Sequence, residues 1–271
     1  MNYAADVSVC LDRILESTDL SGLTKKDATL FTRRLEAHFP SLFEKYTYVY
    51  GHQYDCYYHL QKLVETLRDG LKKRKPALKK LDESRLKSPL WYRDEKQVGL
   101  ACYVDLMGPT LTDLHDRIPY YKALGITYLH LMPLYDAPAG DSDGGYAVSD
   151  YRKVNPTLGT TADLEKLADA LLKEGINLVL DFVFNHTSDE HRWAKAALEG
   201  KKQYQNYYYV YDDRTIPDQY ETTLREIFPQ VRRGSFTFNE QMQKWVWTTF
   251  NSFQWDLNYS NPEVFNAITS E

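Results

Sequence analysis

A chain of 271 residues, 43% of them hydrophobic, can bury a substantial core, as one large domain or as a small domain beside a larger one. A formal net charge of −5 exerts no global pull on nucleic acid, and the basic stretch RDGLKKRKPALKKLDESRLK at 68–87 reads as a solvated helix face. Cys10, Cys56 and Cys102 are too scattered for a disulfide framework or a zinc knuckle; with no apolar leader and no 18-residue apolar window, a reduced cytoplasmic protein without a membrane segment is expected.

Up to residue 90 the apolar spacing is helical: Val9, Leu11, Ile14 and Leu15, then Leu30, Phe31 and Leu35, then Tyr57, Leu60, Leu63, Val64, Leu67 and Leu71. Thr24 with Asp27 reads as a capping box at the start of the second helix, with Asp in place of the usual Glu or Gln. An all-helical N-terminal domain, 1–90, is therefore expected, followed by the linker LKSPLWYRDEKQ. From residue 98 short apolar runs alternate with amphipathic helices: VGLACYV, a helix over 111–124, ITYLHLMP, a helix over 161–174, and INLVLDFVF. Strands without strict polar alternation are normally covered on both faces, as in a parallel sheet or barrel of βαβ units. Gly125 and Gly175 stand where the helices should stop. Three such strands are visible and no fourth follows.

The segment LYDAPAGDSDGGYAVSDYRKVNPTLGT, 134–160, is too long for an ordinary turn and is expected to be functional. A longer insertion, 184–260, carries Trp193, Trp245, Trp247 and Trp255, four of the five tryptophans, which suit either sugar stacking or a satellite core. Gly140 to Gly144 spells GxSxG, but Pro138 before it and a long loop after it deny the strand and helix that a nucleophile elbow needs. A calcium loop there fails at Arg152, where a bidentate Glu is required. DFVFNHTSDEH, 181–191, offers acids and histidines, yet His186 and His191 are five apart across a strand end, which is wrong for zinc. Asp181 to His186 instead end the third strand, where a βα barrel places active-site residues; a buried structural Asp and His is the alternative. Asp189, Glu190 and His191 read as surface residues.

Taken in order, GITYLHLMP, DGGYAVSDY, DFVFNH and QWDLN resemble glycoside hydrolase family 13, the α-amylase family. The resemblance implies an α/β fold: a partial TIM (β/α)8 barrel, its first three βα units, with an inserted domain after strand three and the all-helical N-terminal domain in front. The implied domains are 1–90, helical; 91–183, first part of the barrel; 184–261, inserted domain B; and 262–271, the start of the following barrel helix. DQYETTLREIFP and WVWTTFNSFQWDLNYSNP, with Trp255 where related α-glucosidases have proline, resemble the amylosucrase branch. That branch takes sucrose, forms a β-glucosyl-enzyme, releases fructose and extends an α-1,4-glucan acceptor. Sucrose hydrolases, sucrose isomerases and other α-glucosidases share much of this apparatus.

The resemblance implies a glucose pocket built from Asp143, Tyr146, His186, Phe250 and Gln254. Asp143 would pair with an arginine from elsewhere, Tyr146 would stack on the glucosyl ring, and His186 would hydrogen-bond its 6-hydroxyl. Asp181 would orient the arginine that precedes the nucleophile, Asn185 would tie the strand end to the inserted domain, and Arg225 with Phe228 would touch the glucan acceptor. No metal and no cofactor are implied. The expected partners are sucrose, the acceptor and a C-terminal half, with no nucleic acid and no membrane. A retaining glycosidase needs a carboxylate nucleophile and an acid/base about 5 Å apart, and no GxRxD segment occurs in this sequence. A non-catalytic sugar-binding module is the reading from another class.

Overall fold

A computed structural model describes residues 3–271, which form two compact units, 3–89 with 259–271 and 90–258. The first unit is helical: α1 (Tyr3–Ser17), α2 (Lys25–Tyr50), α3 (Cys56–Lys73) and α4 (Pro76–Lys87). Along α2 the buried residues Phe31, Leu35, Phe39, Phe43, Tyr46 and Tyr50 recur every three or four positions and so share one face. Leu60, Leu63 and Val64 of α3 close the core against it. Thr24 caps α2 by accepting from the Asp27 amide at 3.1 Å. The reciprocal box is seen instead at Thr160, which exchanges bonds with Asp163. The helix Pro262–Ser270, expected as the start of a barrel helix, packs against α3, and Asn266 Nδ2 donates to the His59 carbonyl at 2.9 Å.

The second unit opens with β1 (Gly99–Cys102) and the short helix α5 (Val104–Met107). The expected helix over 111–124 is two pieces, α6 (Leu111–Asp116) and α7 (Ile118–Ala123), because Pro119 supplies no N–H to continue the first. Next come β2 (Tyr128–Leu131), the two-stranded ribbon β3 (Tyr135–Asp136) and β4 (Asp150–Val154) inside the long loop, α8 (Thr161–Lys173) and β5 (Asn177–Leu180). The sheet runs β1-β2-β5, all parallel, with Tyr128 paired to Gly99 on one side and Asn177 on the other. Leu129 and Leu131, fully buried, pack with Leu111, Leu114, Leu167 and Leu171. Each such burial contributes roughly 2 kcal/mol. Two-sided burial was expected, but the opposite face, with Tyr128 and His130, stays half-exposed, since the helices pack on one face only.

Gly125 and Gly175 each end a helix with positive φ, 73° and 74°. A methyl group at Gly175 would meet nothing within 4 Å, so Gly175→Ala isolates backbone strain. It is expected to lower stability by about 1 kcal/mol, read as a lower urea midpoint with an unchanged slope. A gain in stability would show that the unfolded-chain entropy outweighs the strain.

After β5 the insertion builds β6 (His186–Ser188), α9 (Arg192–Leu198), α10 (Lys202–Gln205), β7 (Val210–Tyr211), α11 (Thr215–Glu221), β8 (Phe236–Asn239), β9 (Lys244–Trp247) and β10 (Gln254–Asp256). β7, β9 and β8 form one antiparallel sheet, while β10 returns to pair with β6. Trp193 and Trp255 are core residues here; Trp255 meets Tyr208 edge-on with centroids 5.3 Å apart. His191, expected at the surface, is fully buried between Tyr151 and Trp193 and caps α9, its Nδ1 accepting from the Trp193 amide at 3.2 Å. Asp189 is half-buried as well, and Glu190 is exposed.

Candidate active site

The site lies within the second unit, where chain ends from three places meet. Asp181 directly follows β5, and its amide extends the ladder by donating to the Leu131 carbonyl at 3.0 Å. Asp143 sits in the glycine-rich loop with φ 55°, flanked by Gly140, Gly144 and Gly145 at φ 96°, 66° and 90°. That run of left-handed residues explains the glycines of the GxSxG pattern without a nucleophile elbow. A Cβ on Gly145 would stand 3.2 Å from the Pro133 carbonyl, so the loop folds closely over the end of β2. Gln254 and Asp256 arrive on β10, whose register sets Asp256 opposite His186.

Hydrogen bonds tie these ends together. Gln254 Nε2 donates to Asp143 Oδ2 at 3.1 Å, and its Oε1 accepts from Asn251 N at 2.9 Å and Nδ2 at 3.0 Å. Tyr146 donates to Asp181 Oδ2 at 3.4 Å. His186 is buried, and Phe250 packs on its ring with centroids 5.1 Å apart. Phe228 follows at 6.2 Å from Phe250, whereas Arg225 is exposed on the loop before it. Asn185 Nδ2 donates to Asp256 Oδ1 at 2.9 Å, joining the strand end to the insertion. Asp143, Tyr146, Asp181, Asn185, His186, Phe250 and Gln254 thus belong to one connected group, and Arg225 does not join it.

Burial holds the His186 imidazole neutral, its pKa lowered to about 4 despite the nearby Tyr146 carbonyl and Asp143. Its Nε2 lies 3.2 Å from the Tyr146 carbonyl oxygen, which can only accept, and its Nδ1 lies 3.3 Å from the Asn185 amide, which donates to Asp256. These two partners favour the proton on Nε2, which then donates to that carbonyl. Gln254 Nε2, a donor because Asn251 holds its Oε1, stands 3.0 Å from the same nitrogen and beside Asp143, so a neutral imidazole, a carboxamide and a carboxylate meet in one small space. A sugar hydroxyl, which both donates and accepts, complements that group. Tyr146 is pushed up to about 12 by burial and by the Asp181 carboxylate, so it stays a phenol and a donor. Burial raises Asp256 above the usual carboxylate range, against the opposing bonds from Thr249 N at 2.6 Å, Thr249 Oγ1 at 2.7 Å and Asn185.

Two residues escaped the sequence reading. His130 of β2 places Nε2 3.8 Å from Asp181 Oδ2, and Tyr103, just after β1, puts its hydroxyl 3.2 Å from where a Cβ on Gly144 would be. Their position at or near strand carboxyl ends was the available signal. Among the described residues, no group of three or more His, Cys, Asp or Glu side chains is placed to hold a metal ion, and no helix is long and apolar enough to cross a membrane.

A parallel βαβ sheet that gathers acids, a neutral histidine, an amide and aromatic rings beyond its strand ends defines a polar ligand site of the kind α/β enzymes carry. The family profile described as "Alpha amylase, catalytic domain" matches residues 91–270, and the chain belongs to the α-amylase family, glycoside hydrolase family 13. It is 37% identical to a trehalose synthase/amylase, TreS, of Mycolicibacterium smegmatis over 158 residues, 58% of this chain and 26% of the relative. Maltase 1 of Drosophila virilis is 36% identical over 185 residues, 66% and 29%. An isomaltulose synthase variant of Erwinia rhapontici, solved with its natural substrate sucrose, aligns with a TM-score of 0.56 at 26% identity, covering 64% of this chain and 31% of that one. The chain therefore spans less than a third of the length of these relatives.

Proposed function

We propose that this chain supplies the glucose-holding wall of a retaining glucosyl-transferring enzyme that takes sucrose, of the amylosucrase type. The observation that carries the reading is the meeting of the His186 ring edge, the Gln254 carboxamide and the Asp143 carboxylate, neutral groups beside an acceptor that suit a sugar hydroxyl. A neutral histidine can serve there at any pH well above 4 without drawing in an anion. Tyr146, half-buried, offers the ring for stacking on the glucosyl unit. Phe250 and Phe228 lead outward from that pocket toward the acceptor, with Arg225 on the same loop.

The nucleophile and the acid/base carboxylate, which must face each other about 5 Å apart, are proposed to come from residues outside this sequence. The parent enzyme is thus active where the 271 residues alone are not. Fructose release from sucrose is expected only from a longer polypeptide continuing through the rest of the catalytic domain. Release by the 271-residue chain itself would overturn this division. A second reading, an α-glucosidase or sucrose isomerase, is favoured by likeness to a maltase and to a sucrose-bound isomaltulose synthase. Product analysis of the longer protein separates them: glucan for the first, free glucose or an isomerised disaccharide for the second.

A further inference from the structure

Beyond the wall that carries Gln254, the antiparallel sheet of the insertion borders an open depression of about 550 Å³, within the roughly 300–1,000 Å³ range of ligand pockets. Phe238 and Trp245 stand directly opposite each other on β8 and β9, with ring centroids 5.2 Å apart, and give one side of it a paired aromatic surface. Arg214 lies 4.6 Å from the Trp245 ring centroid and steadies the indole. The rim carries Asp141 and Ser252, both exposed, and the floor includes Asn251.

We infer that this depression binds a neutral oligosaccharide, a short stretch of linear α-linked glucan lying along the Phe238–Trp245 surface. Two features point to a sugar. Aromatic faces meet the C–H faces of pyranose rings, while a carboxylate, a hydroxyl and an amide around them answer the ring hydroxyls. The two arginines of its lining are already engaged: Arg232 donates to the Thr248 carbonyl at 3.1 Å and its hydroxyl at 2.7 Å, and Arg233 pairs with Glu226 at 3.0 Å. With both lining arginines engaged and Asp141 on the rim, no unengaged cation of the lining is left for a phosphate or carboxylate. The open rim suits a chain held along its length rather than one ring enclosed at its end.

The depression and the proposed glucose pocket share a wall. Asn251 contributes to the depression, and the same side chain holds Gln254 Oε1, whose amide reaches Asp143. A glucan resting there lies one residue layer from the hydroxyl-binding donors. The inference rests on the proposed function only for its choice of an α-linked glucan; the site itself is argued from the depression.

Calorimetric titration of the 271-residue chain with maltoheptaose, and with cellohexaose as the β-linked counterpart, tests it. Maltoheptaose is expected to bind and cellohexaose not to. Trp245→Ala should weaken maltoheptaose binding about tenfold or more, and Asp141→Ala should weaken it several-fold, each with an unchanged circular dichroism spectrum. If Trp245→Ala unfolds the insertion, Asp141→Ala and Ser252→Ala decide, since both side chains are exposed. Absence of maltoheptaose binding, or binding unaffected by the folded variants, overturns the site; equal binding of cellohexaose overturns the α-linked assignment. Intact maltoheptaose binding through Trp245, beside a longer protein that fails to cleave sucrose, would remove the proposed function and leave this site standing.

Discussion

In a longer version of the protein that includes the rest of the catalytic domain, Tyr146→Ala is expected to lower sucrose turnover about a hundredfold or more, the loss that follows when a substrate is misplaced by an ångström. Tyr146→Phe is expected to retain most of it. The residue carries two separable assets. Its ring, held over the end of β2 by the close fit of Gly145 on Pro133, is the surface for the glucosyl unit. Its hydroxyl reaches Asp181 over a long 3.4 Å, and Asp181 also has His130 at 3.8 Å, so loss of the phenol leaves Asp181 with another neighbour. Steady-state kinetics on both variants separate these parts. A fall in kcat/KM shared equally by Phe and Ala would assign the role to the hydroxyl. Turnover within twofold of wild type in the alanine variant would remove Tyr146 from the pocket.

The readable parts of this molecule are those fixed by short-range chemistry. Gly125 and Gly175 mark helix ends because only glycine takes their positive φ cheaply, and Thr24 marks a helix start because its hydroxyl answers an orphan amide. The break at Arg117 was equally local, written in Pro119, and the amphipathic pattern across it masked the signal. His191 was legible in neither way. It reads as one polar residue in an acidic stretch, and only the approach of Tyr151 and Trp193 from distant and adjacent segments makes it a core residue. The site is intermediate: its residues sit in recognisable motifs, but the bond from Gln254 to Asp143 spans 111 positions and depends on three-residue strands too short to leave a periodic trace. His130 was hidden because an apolar strand reads as wholly buried, whereas alternation turns this one side chain toward Asp181.

Buried histidines give the second large effect, a loss of stability as pH falls from about 6.5 toward 4. Burial lowers His186 to about 4; it lowers His191 to about 3, with Arg192 and Lys195 adding to the shift. In the unfolded chain both titrate near 6.5. Between these values the unfolded state binds the protons that the folded state refuses, so the lowered folded pKa values make stability fall with falling pH. Two such groups give a slope of about 2.7 kcal/mol per pH unit at most, and by pH 5 the loss is about 4 kcal/mol, most of the lower end of the 5–15 kcal/mol typical of a domain. Asp189 and Asp256, both raised by burial, act with the opposite sign, and only near and below their own folded pKa values. All five tryptophans lie in residues 90–258, so tryptophan fluorescence in urea reports this unit by itself. His186→Gln removes one titration. His191→Asn removes the other while keeping an acceptor able to cap α9. Each is expected to halve the slope between pH 6.5 and 5, and the double variant to flatten it. A wild-type slope below one proton in that range would mean that one of the two rings reaches water in solution.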